Sequence, residues 1–156
     1  YNKAEVNNAF DTSFNVGRNP YMRLEFVANN AEAGLNIFMG FRATPSDHII
    51  PNLGAENCAG LFFNGTIWLF ANSEGTAGTS LGTETIAHDR RHTFALLIVD
   101  ATKVEYYLDG VYRGATTTHI PTGDLEWQIT VDSAGGGAAA AQYITLGKLI
   151  LQEDLV

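Results

Sequence analysis

The sequence has little cysteine, little positive charge and no long apolar run. The single cysteine, Cys58, cannot form an internal disulfide, so the 156-residue chain has to be stabilised by its hydrophobic core. Nine lysines and arginines stand against 17 aspartates and glutamates, and the net charge of −8 argues against a nucleic-acid-binding protein. No stretch approaches the roughly 20 apolar residues of a membrane-spanning helix, and no signal peptide is visible. We therefore expect neither nucleic acid nor membrane among the partners.

Glycine is plentiful, with 16 residues, and two of the glycines mark turns between apolar, aromatic-rich runs. LFFNGTIWLF turns at Asn64-Gly65, and VEYYLDGVYRG turns at Asp109-Gly110. Asn-Gly and Asp-Gly between strand-like runs are strong hairpin signals, because both turn residues adopt positive φ. No segment shows a convincing helical period. The pattern predicts an all-β chain, and the length predicts one domain over residues 1–156.

Alternation of apolar and polar residues predicts further strands. The alternating or apolar segments outside the two turns are 21–28, 35–41, 92–99, 125–131 and 143–152. We expect 21–28 and 35–41 to pair as a hairpin, and the polar segment 73–85 to form a long loop or an edge strand. With an N-terminal strand paired to the C-terminal one, nine or ten strands favour a two-sheet antiparallel jelly-roll sandwich with a purely apolar interior.

One segment of the chain resembles a known family. RHTFALLIVDATKVEYYLDGVYRG resembles the signature hairpin of laminin-G-like domains, which are relatives of the concanavalin A-like lectins and glucanases. In that family a histidine opens a strand, an aspartate ends it, and the next strand runs into Tyr-x-Asp-Gly. Those positions here are His92, Asp100, Tyr107 and Asp109-Gly110, whereas Arg91 replaces the usual tryptophan. The resemblance implies a jelly-roll sandwich in which His92 is structural.

The C-terminal part carries a second resemblance. AGGGAAAAQ followed by YITLGKLILQEDL resembles the end of jelly-roll domains in tailed-phage structural proteins, where an alanine-rich loop precedes the final strand. It implies a structural or decoration protein located in a virion, which contacts other virion subunits or copies of itself, for example as a trimer. The alternative is a lectin-like carbohydrate-binding or adhesion module with an extracellular or cell-surface location.

Catalytic residues are not apparent in the sequence. Glucanases of this fold carry Glu-x-Asp-x-x-Glu on one strand, and the nearest approach here is Asp124-Leu125-Glu126, which lacks a third acid. There is no Gly-x-Ser-x-Gly elbow, no Cys/His pairing signal, and the four histidines are spread along the chain. We therefore predict that the chain is not an enzyme and has no catalytic residues.

Aromatic residues are the candidates for ligand binding. Tyr107 and Tyr112 fall opposite each other across the second turn, so they would lie side by side on the face away from the core. Such a pair would form a platform for a sugar or a contact for a protein, and ordinary cross-strand packing is the alternative. Trp68 is open to the same interpretations.

A metal ion is an optional part of the predicted site. Laminin-G-like and lectin domains often hold calcium at a loop rim, so the resemblance makes Asp47, Asp100 and Asp132 candidate calcium ligands. The alternative is that all three are solvated turn residues. No zinc-ligand spacing is present, and no other cofactor is expected.

Overall fold

The computed structural model describes residues 3–7, 13–28, 35–43, 51–133 and 144–154, and of residues 3–7 only the backbone. The described part contains twelve strands and one 3₁₀ turn, Val16–Arg18. In that part no helix has the length and hydropathy needed to cross a membrane. The all-β prediction is confirmed.

The strands form two antiparallel sheets that pack face to face. The seven-stranded sheet contains β1 (Lys3–Asn7), β2 (Phe14–Asn15), β4 (Leu35–Arg42), β5 (Asn57–Phe63), β6 (Trp68–Glu74), β7 (Gly78–Glu84) and β11 (Asp124–Ser133). The five-stranded sheet contains β3 (Tyr21–Ala28), β8 (Arg91–Val99), β9 (Lys103–Leu108), β10 (Val111–Thr116) and β12 (Ile144–Gln152). Their orders are β1-β11-β4-β5-β6-β7, with β2 also paired to β11, and β10-β9-β8-β3-β12. The predicted two-sheet jelly-roll sandwich is confirmed.

The core lies between the sheets and is built from every second residue of the strands. The alternation predicted for 21–28, 35–41 and 125–131 places the expected apolar side chains inward. Aromatic rings join the two layers: Phe70 of β6 lies 5.2 Å from Tyr106 and 6.0 Å from Phe94, both on the opposite sheet. Burial of each such large side chain stabilises the fold by roughly 1.5–3 kcal/mol, so this interface dominates the stability.

A buried asparagine also links the two sheets. Asn72 on β6 donates from Nδ2 to the carbonyl oxygens of Thr118 (2.9 Å) and His119 (2.7 Å). Its Oδ1 accepts from the hydroxyls of Thr116 (2.5 Å) and Tyr106 (3.4 Å). The expectation of a purely apolar interior is therefore wrong, because a polar side chain is stable there once all of its hydrogen-bonding groups are satisfied.

Two of the predicted pairings need correction. β3 and β4 do not pair with each other, since they belong to different sheets, and β3 lies between β8 and β12. The N-terminal strand β1 pairs with β11 and not with the last strand. For segment 73–85, the edge-strand alternative is confirmed, since it contains β7 at the edge next to β6. Alternation indicates which face of a strand is buried, but it does not identify the neighbouring strand.

The two predicted turns differ in geometry. At Asp109-Gly110 both residues have positive φ, 54° and 76°, as the two-residue hairpin requires. At the first turn Gly65 has positive φ (85°) but Asn64 does not. Asn64 Oδ1 instead accepts the amide N–H groups of Thr66 (3.2 Å) and Ile67 (3.1 Å), which closes a four-residue loop between β5 and β6.

Replacing Asn72 by alanine is expected to lower the free energy of unfolding by about 2–4 kcal/mol, because two carbonyls and two hydroxyls lose a buried partner. Urea denaturation followed by tryptophan fluorescence measures the change. Asn52→Ala, at an exposed asparagine, is the control and should cost less than about 0.5 kcal/mol. Similar costs for the two variants would contradict the bridging role of Asn72.

Candidate functional site

The outer face of the seven-stranded sheet is covered. Phe38 and Phe62, whose ring centroids are 4.9 Å apart, lie on this face and are buried, as is Cys58. Segment 51–56 runs over part of it, where the amide of Gly54 donates to the hydroxyl of Ser73 (3.1 Å). Among the described residues this face therefore offers no open surface at its centre.

A buried charged group anchors that covering segment. Arg42 on β4 is 1% exposed, forms an ion pair with Glu56 (2.5 Å) and donates to Gln128 Oε1 (3.1 Å). Sequence reasoning missed this cluster, because Arg42 and Glu56 lie 14 positions apart in the chain. Two oxygens further along β11, Thr130 Oγ1 and Asp132 Oδ1, are buried and have no hydrogen-bond partner among the described residues.

The reactivity of the Cys58 thiol depends on whether this face is closed to solvent. Burial, reinforced by the nearby Glu56 carboxylate and opposed by Arg42, raises the pKa of the Cys58 thiol to about 12. Only the thiolate is nucleophilic, so the thiol is inert in the folded chain.

Cys58 is expected to react with a thiol reagent such as DTNB about a thousandfold more slowly at pH 8 in the native chain than in guanidinium, since burial suppresses the thiolate. Absorbance of the released chromophore measures the rate, and Cys58→Ser supplies the background. Fast labelling of the native chain would show that the face is open.

The outer face of the five-stranded sheet carries an open groove of about 590 Å³. Its floor is β8, where Ala95 lies opposite Arg23 of β3 on one side and Tyr107 of β9 on the other. Because adjacent strands lie about 4.8 Å apart, Arg23 and Tyr107 are separated by about 10 Å across the small Ala95. A second hollow of about 420 Å³ shares Tyr21 and Leu97 with the groove and extends it along the sheet. We call the groove and this second hollow together the tyrosine groove.

Tyr107 stands in this groove with a fixed ring. Its hydroxyl donates to Glu105 (2.7 Å), and Glu105 also pairs with Lys103 (2.6 Å). The hydrogen bond to Glu105 raises the pKa of Tyr107 to about 12, so the phenol stays neutral. The ring of Tyr112, which is 53% exposed, lies 5.4 Å away on the same face. The two tyrosines are thus side by side on the solvent face, and their role in binding stays a prediction.

Hydrogen bonds at the end of the groove tie β9 to β8. His92 Nδ1 lies 2.8 Å from Asp109 Oδ2, and His92 Nε2 lies 3.0 Å from the carbonyl oxygen of Ala87. The amide of Thr93 donates to Asp109 Oδ1 (2.9 Å), and the amide of Asp109 donates to the carbonyl of Thr93 (2.7 Å). We call this set of contacts the His92–Asp109 latch. His92 is buried beneath the groove and is used by the fold itself.

Because of the latch, the charge of Asp109 contributes to the free energy of folding. Partial burial by itself would raise the pKa of Asp109, but the hydrogen bonds from Thr93 and His92 outweigh burial and keep the pKa below its ordinary value of 3.8. A lowered pKa in the folded chain means that the carboxylate stabilises the fold above about pH 4, and that this contribution is lost as pH falls below that value.

Asp109→Asn should therefore cost stability at pH 6 and progressively less as the pH falls from 4 to 2. Asparagine tolerates the positive φ of this position, so the variant tests the charge and not the turn. Because the side chain is 40% exposed, the difference should stay near or below about 1 kcal/mol. Chemical denaturation at each pH measures it, and a difference that grows towards low pH would contradict the assignment.

The structure excludes one of the aromatic candidates and adds residues that the sequence analysis did not identify. Trp68 is 3% exposed and packs in the core against Phe26 and Phe63, so it cannot form a platform at the rim and is removed from the candidates. The residues that line the groove beside Tyr107, among them Tyr21, Arg23 and Ala95, were missed. Alternation placed Tyr21 and Arg23 on an outer face, but only the register of the sheet brings them near Tyr107.

The calcium candidates do not converge in the described residues. Asp100 lies in the turn after β8, where its amide donates to Asn19 Oδ1 (2.6 Å). Asp132 lies on β11 of the other sheet, and Asp47 falls outside the described residues. Within the described ranges no group of three or more His, Cys, Asp or Glu side chains is arranged to hold a metal ion. Calcium-assisted binding stays a prediction.

Comparison with known proteins identifies the fold. No protein-family model and no curated protein sequence matches the chain. The Bacillus licheniformis β-glucanase superposes with a TM-score of 0.68 over 99% of this chain and 78% of its own, at 13% identity. The Emp47p carbohydrate recognition domain gives 0.72 over 98% and 79%, at 13% identity. Alginate lyase A1-II′, of polysaccharide lyase family 7, gives 0.70 over 97% and 72%, at 9% identity. The chain therefore has the concanavalin A-like jelly-roll fold.

The prediction that the chain is not an enzyme is contradicted by these neighbours. A β-glucanase, a glycosidic hydrolase and an alginate lyase all share its fold. The prediction inferred a lack of chemistry from the lack of a carboxylate triplet, of a Gly-x-Ser-x-Gly elbow and of a Cys/His pairing signal, and a missing motif excludes only the reaction that the motif performs. The structures named here include no virion protein, and the predicted virion role finds no counterpart among them.

Proposed function

We propose that the chain binds glycans in the tyrosine groove. The observation that carries the proposal is the position of Tyr107, a tethered aromatic ring beside the small Ala95 on an open, concave sheet face. Glycan sites combine an aromatic or apolar surface with a few convergent polar groups. In the groove, the aromatic and apolar surface consists of Tyr107, Tyr21 and Leu97. The hydrogen-bond donors are Arg23 and Thr93.

Preorganisation of the aromatic wall supports the proposal. The hydroxyl of Tyr107 is held by Glu105 and its ring is flanked by Tyr112, so little side-chain entropy remains to be lost when a ligand packs against it. The floor residue Ala95 leaves the space that a ring-shaped ligand needs. A larger residue at this position would bring Arg23 and Tyr107 into contact with it and fill the groove.

The structural neighbours support the same class of ligand. The Emp47p domain is a carbohydrate recognition domain, and one matched alginate lyase structure is a complex with its oligosaccharide substrate. Fold likeness at 9–13% identity does not transfer a site, so the argument for this chain depends on the groove itself.

Tyr107→Ala is expected to weaken glycan binding about tenfold or more, equivalent to about 1.4 kcal/mol, because the aromatic wall is removed. Tyr107→Phe keeps the ring and should bind within about threefold of the parent. Thermophoresis against β-glucans, mannans, xylans and polyuronates measures the affinities.

Ala95→Trp should abolish the same binding by filling the groove, with folding checked by circular dichroism. Reducing-end and unsaturated-product assays on each bound glycan record whether it is also cleaved. Binding that survives both Tyr107→Ala and Ala95→Trp would place the site elsewhere, and no binding to any glycan would overturn the proposal.

The virion role stays a prediction from the sequence resemblance, together with contacts to other virion subunits or to copies of the chain. A glycan-binding groove is compatible with that role and with the extracellular alternative, since both bring a protein surface to cell-surface sugars. The groove therefore argues for the ligand class and not for the location.

A further inference from the structure

The arginines of this chain fall into two groups. All six lie in the described residues, and three of them lie outside the tyrosine groove. Each of those three pairs with a glutamate: Arg18 with Glu153 (3.5 Å), Arg42 with Glu56 (2.5 Å) and Arg113 with Glu84 (3.8 Å). Outside the groove, then, the carboxylates of the fold neutralise the guanidinium groups.

Of the three arginines of the groove, two have no such partner among the described residues, and the third has only an exposed one. Arg23 and Arg90 line it with no carboxylate at ion-pair distance among the described residues. Arg91 forms an ion pair with Glu25 at 3.8 Å, the same distance as Arg113–Glu84, but its side chain is 78% exposed, so the pair contributes little and the guanidinium stays accessible to a ligand. Three cations in one groove, two of them without an ion pair in the described part of the chain, contrast with the net charge of −8 for the chain.

Among the described residues, three carboxylates face these cations: Asp109, which interacts with Arg90, Glu25 of β3, which lies opposite Thr93, and Asp154 in the second hollow. Both carboxylate oxygens of Asp109 are already engaged, one by His92 and the other by the amide of Thr93. Arg23 and Arg90 therefore remain available to an acidic ligand, and Arg91 becomes available when a ligand anion replaces Glu25 in its exposed ion pair. Screening confines charge interactions to about 8–10 Å, so a bound anion senses these arginines and the adjacent Glu25 and Asp109 more strongly than the acidic residues elsewhere on the surface.

The arginines are also spread along the groove. Arg23 lies opposite Ala95 on the neighbouring strand, and Arg91 precedes Ala95 by four residues. At about 3.4 Å per residue the two positions are about 14 Å apart along the strand direction. One small anion cannot reach both, whereas an oligosaccharide lying along β8 can present an acidic group to each.

We propose that the tyrosine groove selects glycans that carry carboxylate or sulfate groups on more than one sugar. Arg23 and Arg91 each bind one acidic group, since the guanidinium fork matches both anions, and Tyr107 packs against a sugar ring between them. This inference rests on the proposed glycan-binding function and adds the charge of the ligand to it.

The test compares polygalacturonate with its fully methyl-esterified form, which has the same sugar backbone without the charge. Affinity is measured by thermophoresis at 50 and 300 mM NaCl for the parent chain, Arg23→Gln, Arg91→Gln and Tyr107→Ala. Arg113→Gln removes one equal charge outside the groove and is the matched control. A single-stranded oligonucleotide serves as a non-glycan polyanion.

We expect the acidic polymer to bind at least tenfold more tightly than the ester, and we expect its affinity to fall at higher salt. Arg23→Gln and Arg91→Gln should each reduce that affinity at least fivefold, while Arg113→Gln stays within twofold. If the acid and the ester bind equally tightly, and Tyr107→Ala loses both, the charge selectivity is overturned. The proposed glycan-binding function would then still stand.

Two other results would also overturn the selectivity. Equally tight binding of the oligonucleotide, insensitive to Tyr107→Ala, would show non-specific attraction to polyanions. If neither polymer binds, a sulfated glucan and its unsulfated parent are tested as a second pair. Failure of both pairs, together with failure of the wider glycan panel, would remove the proposed function as well.

Discussion

The His92–Asp109 latch is the constraint on which the groove depends. It fixes the turn of the second hairpin against β8, and with it the register that places Phe94 opposite Leu108 and Ala95 opposite Tyr107. Side chains alternate along a strand, so a slip of one residue would turn every side chain of β9 to the other face. The latch thus helps to hold the register in which Tyr106 faces the core and Tyr107 faces the solvent.

Those two tyrosines show how one strand builds both the core and the site. Tyr106 is fully buried, packs on Phe70 of the opposite sheet and donates its hydroxyl to Asn72. Tyr107 points the other way and donates its hydroxyl to Glu105 on the outer face. Because the inner side chains hold the strand in place, the outer ones are presented on a rigid surface. A binding site on strands is positioned more exactly than one on loops.

The two outer faces of the sandwich have opposite properties. One is covered around Phe38, Phe62 and Cys58, with segment 51–56 tied down by Arg42 and Glu56. The other keeps a small residue, Ala95, at the centre of a hollow between larger side chains. The same fold occurs in a glucanase, an alginate lyase and a carbohydrate recognition domain, so the fold leaves the function open. For this chain, the proposed function is inferred from the accessible side chains of β3, β8 and β9.

The sequence by itself determined the β class, most of the strands and the inward face of each, because alternation is a local property of the chain. It also determined that Tyr107 and Tyr112 are neighbours, since a two-residue turn sets the cross-strand pair. It could not determine that Trp68 lies in the core, that β3 and β4 belong to different sheets, or that Arg42 meets Glu56. The groove was likewise decided by the tertiary structure alone. Ala95 and Tyr107 lie on consecutive strands, but Arg23 comes from β3, far away in the chain, and meets them only through sheet register, which depends on the packing of the whole sandwich.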